Sequence, residues 1–239
     1  MKLFGRKAKQ QPTIQCSVIL LAAGSSNRMG QDKIMLSAGD YPVIVHAIRA
    51  FDTIAEVSEI IVVTREELVP EVAGLCKVFD LTKVKKIVRG GQTRAESARI
   101  GTLEAANDAP LIAIHDAARP FVPEHVIRAA ILKAAETGAA APAVPVKDTI
   151  KVAYGGVVEY TPDRTTLFAV QTPQVFDASL IRAALQKALD DGLEVTDDCS
   201  AVERLGMKIS LTTGDERNFK LTTPADLALA ECMLLEVQK

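Results

Sequence analysis

Gly24, Arg28, Gly30 and Lys33 follow directly on the apolar run Val18-Ile19-Leu20-Leu21-Ala22-Ala23. A glycine at the end of such a run lets the backbone turn tightly and bring amide groups to an anion. An arginine grips phosphate oxygens bidentately, and a lysine acts as a mobile point charge. The combination reads as a cradle for a triphosphate. Two better-known phosphate loops do not fit. Ser26 stands where G-x-G-x-x-G needs its second glycine, and Lys33 lies between Asp32 and Ile34 rather than in G-K-[S/T]. Taken alone, the stretch also fits a strand, a turn and a solvated charged loop.

Further clusters carry compatible chemistry. In His115-Asp116-Ala117-Ala118-Arg119-Pro120, the carboxylate can hold Mg²⁺ or a sugar hydroxyl and the guanidinium can bind phosphate. Mg²⁺ is usually held by one or two carboxylates plus substrate phosphates. An internal ion pair explains Asp116 and Arg119 equally well. His115 reads as a hydrogen-bonded structural residue, since no second histidine lies near it, and His46 and His125 read as ordinary helix residues. Gly90-Gly91-Gln92-Thr93-Arg94-Ala95-Glu96-Ser97 is a glycine turn entering a helix. Its amides suit the edge of a base, with Ser97 one helical turn on; a plain connection is the alternative. Lys147-Asp148-Thr149, Asp163-Arg164 with Gln171-Thr172-Pro173-Gln174, and Asn218-Phe219-Lys220-Leu221-Thr222 complete the set. Arg164 and Lys220 are either a second anion site or solvated cations. No nucleophile–base pair is evident, and phosphoryl or nucleotidyl transfer does not demand one.

The elements that must position these residues follow from periodicity. The first apolar run reads as a buried strand of a parallel sheet, its loop opening at the carboxyl edge where open α/β sheets bind ligands. Helical spacing predicts a helix over Tyr41–Phe51 with Pro42 in its first turn. Ile60–Thr64 is a β-branched strand, Arg65–Cys76 a helix, and Val84–Val88 a third strand. Thr93–Ala106 is a helix with Thr93 and Glu96 as a capping box. A strand over Leu111–His115, a helix over Pro123–Thr137 and a strand over Ala139–Val146 continue the alternation. Lys147–Val170 alternates around Gly155-Gly156, a hairpin signal, and reads as a β-arm able to pair with a second copy. Asp177–Leu189 is a helix, Thr196–Leu205 an acidic helix start, Met207–Leu211 a strand and Pro224–Val237 a closing helix. The expected fold is α/β: a Rossmann-like, mostly parallel sheet with helices on both faces and a projecting β-arm at about 147–170. The expected organisation is a basic, disordered leader over 1–13 and one domain over 14–239.

Composition narrows the partners. The 239-residue chain is 48% hydrophobic and 24% charged, ordinary for a globular protein with a real core. A net charge of −2 argues against a general nucleic-acid or membrane binder, so any anion site is a local concentration of cations. Trp is absent and aromatics are 4%, which disfavours base-stacking platforms. Cys16, Cys76, Cys199 and Cys232 lack metal-ligand spacing and read as reduced residues of a cytoplasmic protein. The basic leader and VILLAAG imitate a secretory signal, but Gln10-Gln11-Pro12 separate the charges from a short apolar run.

LAAGSSNRMGQDK resembles the signature of the sugar-phosphate nucleotidyltransferase superfamily. With HDAARP, KDTIK, QTPQVF, TDDCSAVE and NFKLTTPADLALAE, the chain over about Cys16–Glu236 resembles the 2-C-methyl-D-erythritol 4-phosphate cytidylyltransferase family. The resemblance implies transfer of CMP from CTP to methylerythritol phosphate with release of pyrophosphate, in non-mevalonate isoprenoid biosynthesis, with Mg²⁺ or another divalent cation. It implies that Arg28 and Lys33 hold the CTP phosphates, and that Ala22, Ala23, Gly24, Gly91 and Ser97 bind the nucleotide. It implies Asp116 at the ribose and metal, and Arg119, Thr149, Arg164, Thr172 and Lys220 at methylerythritol phosphate. Arg164 and Lys220 also join the catalytic cations, some residues coming from the partner's arm across a homodimer. Gln92 stands where some relatives carry Asp. Alternatives are a ribitol 5-phosphate (pentitol phosphate) cytidylyltransferase and a non-catalytic nucleotide-binding protein on the same fold; the missing glycine fingerprint argues against a Rossmann oxidoreductase.

Overall fold

Along β1 (Cys16–Ala22), Val18, Leu20 and Ala22 enter one apolar cluster and Ile19 enters another. That two-sided burial is why the run is continuously apolar rather than alternating. The computed structural model describes residues 14–24 and 32–237; the leader, Arg28 and Gly30 lie outside them. After β1, a two-residue ribbon forms from β2 (Ser37–Ala38) and β3 (Tyr41–Pro42), followed by α1 (Val43–Asp52). Helix α1 thus starts after Pro42, which is its N-cap rather than a first-turn residue. The pairing of Tyr41 with Ala38 draws the chain before it into extended structure.

The alternation continues with β4 (Val57–Thr64), α2 (Val69–Val78) behind a single 3₁₀ turn, and β5 (Val84–Arg89). Next come α3 (Arg94–Glu104), β6 (Leu111–Asp116), α4 (Glu124–Thr137) and β7 (Ala139–Pro145). The arm holds β8 (Val152–Tyr154) and β9 (Val157–Tyr160), and β10 (Phe168–Val170) brings the chain back. The last elements are β11 (Gln174–Asp177), α5 (Ala178–Asp190), α6 (Asp198–Glu203), β12 (Ser210–Thr213) and α7 (Pro224–Val237).

The main sheet runs β10-β7-β11-β6-β1-β4-β5, with β12 also paired to β7. Strands β6, β1, β4 and β5 are mutually parallel, and β11 runs antiparallel between β6 and β7. Helices α1, α2 and α4 cover one face; α3, α5 and α6 cover the other. The doubly covered, mostly parallel α/β sheet is the architecture expected from the sequence. The sheet departs from the sequence reading in two places. The late strand is Ser210–Thr213, later than Met207–Leu211, because its register is set by parallel pairing with Ala140–Ala143. The QTPQVF segment contributes β11, whose four residues are too few to show a period.

Helix α3 lies unusually close to the sheet. A Cβ on Gly101 would come within 2.2 Å of Ile19 Cγ2 and 2.9 Å of Val63 Cγ2. Replacing a helical glycine by alanine ordinarily favours the helix by about 1 kcal/mol. Here overpacking against two branched side chains outweighs that gain. We expect Gly101→Ala to destabilise by about 1–3 kcal/mol, read as a lower denaturant midpoint with unchanged slope; a stabilised variant would contradict the packing.

Candidate active site

The carboxyl ends of the parallel strands share one edge, and a cleft of about 330 Å³ opens there. Ala22, Ala23 and Gly24 follow β1, Gly91 and Gln92 follow β5, and Asp116 ends β6. Lys33 and Ser97 complete the wall with Lys220, which approaches from the segment before α7. The cleft therefore gathers eight residues singled out from the sequence: Ala22, Ala23, Gly24, Lys33, Gly91, Ser97, Asp116 and Lys220. Arg28 lies outside the described residues.

Asp116 is the electrostatic centre. Its Oδ2 accepts from Lys220 Nζ at 2.8 Å and lies 4.0 Å from Arg119 Nε. Its Oδ1 faces Arg94 Nε and Nη2, each at 3.4 Å. Burial alone would raise its pKa, but Arg94 and Lys220 overcome this and hold the carboxyl far below the usual range. It is ionised at any physiological pH and acts as an acceptor only.

Arg94 and Asp198 were not singled out from the sequence. Arg94 Nη2 donates to Asp198 Oδ2 at 2.8 Å, and the Asp198 side chain is 1% exposed. Burial pushes the Asp198 carboxyl upward, and Arg94 opposes it. Arg94 itself is raised, its carboxylate neighbours outweighing the burial that would lower it. Asp198 is delivered by α6, whose N-terminus is capped by Asp197 and held by Gln174: Gln174 Oε1 accepts from the amides of Asp198 and Cys199, each at 3.0 Å. The partners are 104 residues apart, and nothing local in the sequence announces them.

Three side chains are placed differently from expectation. Gly91 N–H donates to Ser97 Oγ at 3.1 Å, Ser97 Oγ–H donates to Thr93 O at 2.9 Å, and Gln92 N–H donates to the Glu96 carboxylate at 2.7 Å. The amides of this turn are thus taken internally, and Ser97 braces the turn. Glu96 closes on Gln92 rather than Thr93, so only the Thr93 half of the expected capping box forms. Thr172 is 4% exposed and sits behind Asp116 instead of lining the cleft: its Oγ1 accepts from Asp116 N at 3.1 Å. Arg119 is half-buried, with Nη1 donating to Asn218 O at 2.7 Å. Burial lowers the His115 imidazole to about 4, so it is neutral at physiological pH.

Thr149 and Arg164 are not brought to the cleft of their own chain. Both are exposed on the arm, where Arg164 Nη1 donates to Lys147 O at 2.7 Å. The arm is tied at its base by an ion pair between Lys147 and Glu216. Its Gly155-Gly156 turn has φ of 56° and 82°, as a two-residue hairpin requires.

Asp116 is the one acid lining the cleft among the described residues, and no group of three metal-binding side chains occurs among them. One carboxylate supplemented by phosphate and water oxygens fits Mg²⁺, which keeps several waters and seldom sits in an all-protein cage. Among the described residues the cleft wall carries three cations, Lys33, Arg94 and Lys220, beside the single acid Asp116, a lining suited to an anion.

Comparison with known proteins agrees with this architecture. The family model described as IspD: 2-C-methyl-D-erythritol 4-phosphate cytidylyltransferase matches residues 16–236. The chain is 45% identical over 226 residues to the protein of that name from Caldanaerobacter subterraneus, covering 91% of this chain and 98% of the relative. It is 42% identical over 228 residues to the one from Halalkalibacterium halodurans, covering 95% and 100%. Among solved structures, the 4-diphosphocytidyl-2C-methyl-D-erythritol synthase of Anaerococcus prevotii superposes with a TM-score of 0.83 at 28% identity, covering 92% of this chain and 98% of that one. The Thermus thermophilus cytidylyltransferase gives 0.76 at 31%, covering 91% and 98%.

If Asp198 anchors Arg94, the two must couple energetically. A double-mutant cycle with Asp198→Asn and Arg94→Met is expected to give a coupling energy of about 1–3 kcal/mol from denaturant unfolding. A coupling below about 0.5 kcal/mol would mean that the pair is not formed in solution.

Proposed function

The chain belongs to the 2-C-methyl-D-erythritol 4-phosphate cytidylyltransferase family, and from that membership we propose how its residues divide the work. It is a cytidylyltransferase of isoprenoid precursor biosynthesis, transferring CMP from CTP to methylerythritol phosphate with release of pyrophosphate. The observation that carries the assignment of roles is the cleft in which Lys33, Arg94, Lys220 and ionised Asp116 meet Ala22–Gly24 and Gly91.

In this reading the nucleotide lies over Ala22–Gly24 with its base toward Gly91. The amides there are already bonded, so the turn offers carbonyl oxygens, which suit the exocyclic amine of cytosine. Asp116 accepts from a ribose hydroxyl. An oxygen of methylerythritol phosphate attacks the α-phosphorus in line; a P–O bond forms as the α–β bridge breaks and its electron pair leaves with pyrophosphate. Lys33 and Arg28 neutralise charge on the triphosphate, and Lys220 and Arg119 hold the acceptor phosphate. The substrate phosphate is already a nucleophile, so positioning and charge neutralisation carry the step. Mg²⁺, held by Asp116 and substrate oxygens, would supply charge neutralisation across the phosphates when bound. Residues 14–239 then form one nucleotidyltransferase domain. The four cysteines, none in a disulfide, support a cytoplasmic setting; among the described residues, no helix is long and apolar enough to cross a membrane.

The arm supports a homodimer. Tyr154 and Val157 are each 72% exposed, and Val158 and Tyr160 are more than half exposed. A lone two-stranded hairpin is marginally stable in water, so a second copy of the chain is the natural cover. Its arm would then carry Thr149 and Arg164 to the neighbouring cleft.

Three outcomes are expected. Pyrophosphate release from CTP and Mg²⁺ proceeds with methylerythritol 4-phosphate and not with ribitol 5-phosphate; the reverse preference moves the protein to the pentitol branch. Lys33→Ala lowers kcat by at least roughly 10² with the fold intact, and a near-normal kcat removes Lys33 from the chemistry. Sedimentation shows a dimer that Val157→Asp dissociates; a wild-type monomer would reject the shared site.

A further inference from the structure

His115 is fully buried, and the cleft does not reach it. Its ring packs edge-on against Phe51, with centroids 4.8 Å apart. Both ring nitrogens are engaged. Nε2 lies 3.0 Å from Arg119 O, and a carbonyl can only accept, so Nε2 carries a proton. Nδ1 lies 3.0 Å from Thr172 Oγ1, which already accepts from Asp116 N. The Thr172 hydroxyl proton is therefore free to be donated to Nδ1. The bonds run in one direction, from Asp116 N–H to Thr172 Oγ1, from Thr172 O–H to Nδ1, and from Nε2–H to Arg119 O. The chain of bonds starts at one end of the Asp116–Arg119 turn and returns to the other. A second clamp runs beside it: Asn218 Nδ2 donates to Thr172 O at 2.8 Å, and Arg119 Nη1 donates to Asn218 O.

We propose that His115, as its Nε2–H tautomer, is a positioning residue that works through the Thr172 hydroxyl to fix the Asp116–Arg119 turn at the acceptor side of the cleft. The proposal rests on the reading of Asp116 and Arg119 as substrate-facing. It gives Thr172 a task apart from contact with substrate. Its hydroxyl is spent on the His115 ring and the Asp116 amide, and it touches the reaction only through them. A packing role for Thr172 would depend on its methyl group; a positioning role depends on its hydroxyl. The two are separable because valine keeps the shape and loses the hydroxyl, whereas serine keeps the hydroxyl and loses the methyl.

The experiment compares Thr172→Val and Thr172→Ser for pyrophosphate release with CTP and methylerythritol phosphate, alongside nitrogen NMR of isotope-labelled histidine in the unliganded wild-type protein. His115→Gln, which keeps a donor near the Nε2 position, identifies the His115 signals by their loss. We expect Thr172→Val to lower kcat/KM for the acceptor roughly 10–100-fold, the usual range for a residue behind the contacting group. Thr172→Ser is expected to retain at least about a third of wild-type kcat/KM, and His115 to show a protonated Nε2 with an unprotonated, hydrogen-bonded Nδ1. Activity kept in the valine variant and lost in the serine variant overturns the proposal, as does a protonated Nδ1 in the wild type. If the wild type releases no pyrophosphate at all, the functional reading fails, while the NMR pattern still decides the hydrogen-bond relay.

Discussion

A buried carboxylate surrounded by cations at the floor of an open cleft is the constraint on which the site depends. Asp116 has little solvent to screen it, and Lys220, Arg94 and Arg119 stand around it. Two of these cations are held in turn by something else: Arg94 by Asp198, and Arg119 by the Asn218 carbonyl. A buried charge left without a partner is costly, so removing any member disturbs the others. That interdependence fixes the cations before substrate arrives, which is what transition-state charge stabilisation requires.

The sheet provides the frame. Asp116 sits at the end of β6, which is paired along β1 in strict parallel register, Leu21 opposite Asp116. Helix α3 is pressed against β1 and β4 at Gly101, and its N-terminal turn bears Arg94 and Ser97. Strand ends and helix starts are thus set by apolar contacts well inside the molecule, and the polar groups inherit their placement from them.

Most of the architecture was legible in the sequence. Val18–Ala22, Ile60–Thr64 and Leu111–His115 are short β-branched or aliphatic runs, and burial on both faces leaves no other use for them. The turn residues after those strands were legible for the same reason, since every parallel strand opens toward the same edge. Arg94 and Asp198 were not, because their pairing joins segments 104 residues apart and either looks like an ordinary helix-start residue. Ser97 and Thr172 were recognised as chemically capable, but the direction of a hydroxyl proton leaves no trace in residue type. Strand β12 was displaced because pairing with β7, rather than local propensity, selects which residues become extended.

On the proposed assignment of roles, the two substrates meet surfaces of different mechanical character. The nucleotide side is built on β1 and β6, the most deeply buried strands, where amide exchange should demand near-global unfolding. In the proposed dimer the acceptor side is continued by the partner's arm, which each copy exposes and roots at Lys147 and the edge of β7, where local opening is cheap. In the proposed dimer a rigid wall and a compliant one face each other across the reacting phosphates. Adjustments to a differently shaped acceptor can then arise by yielding on one side while the geometry around the triphosphate stays fixed.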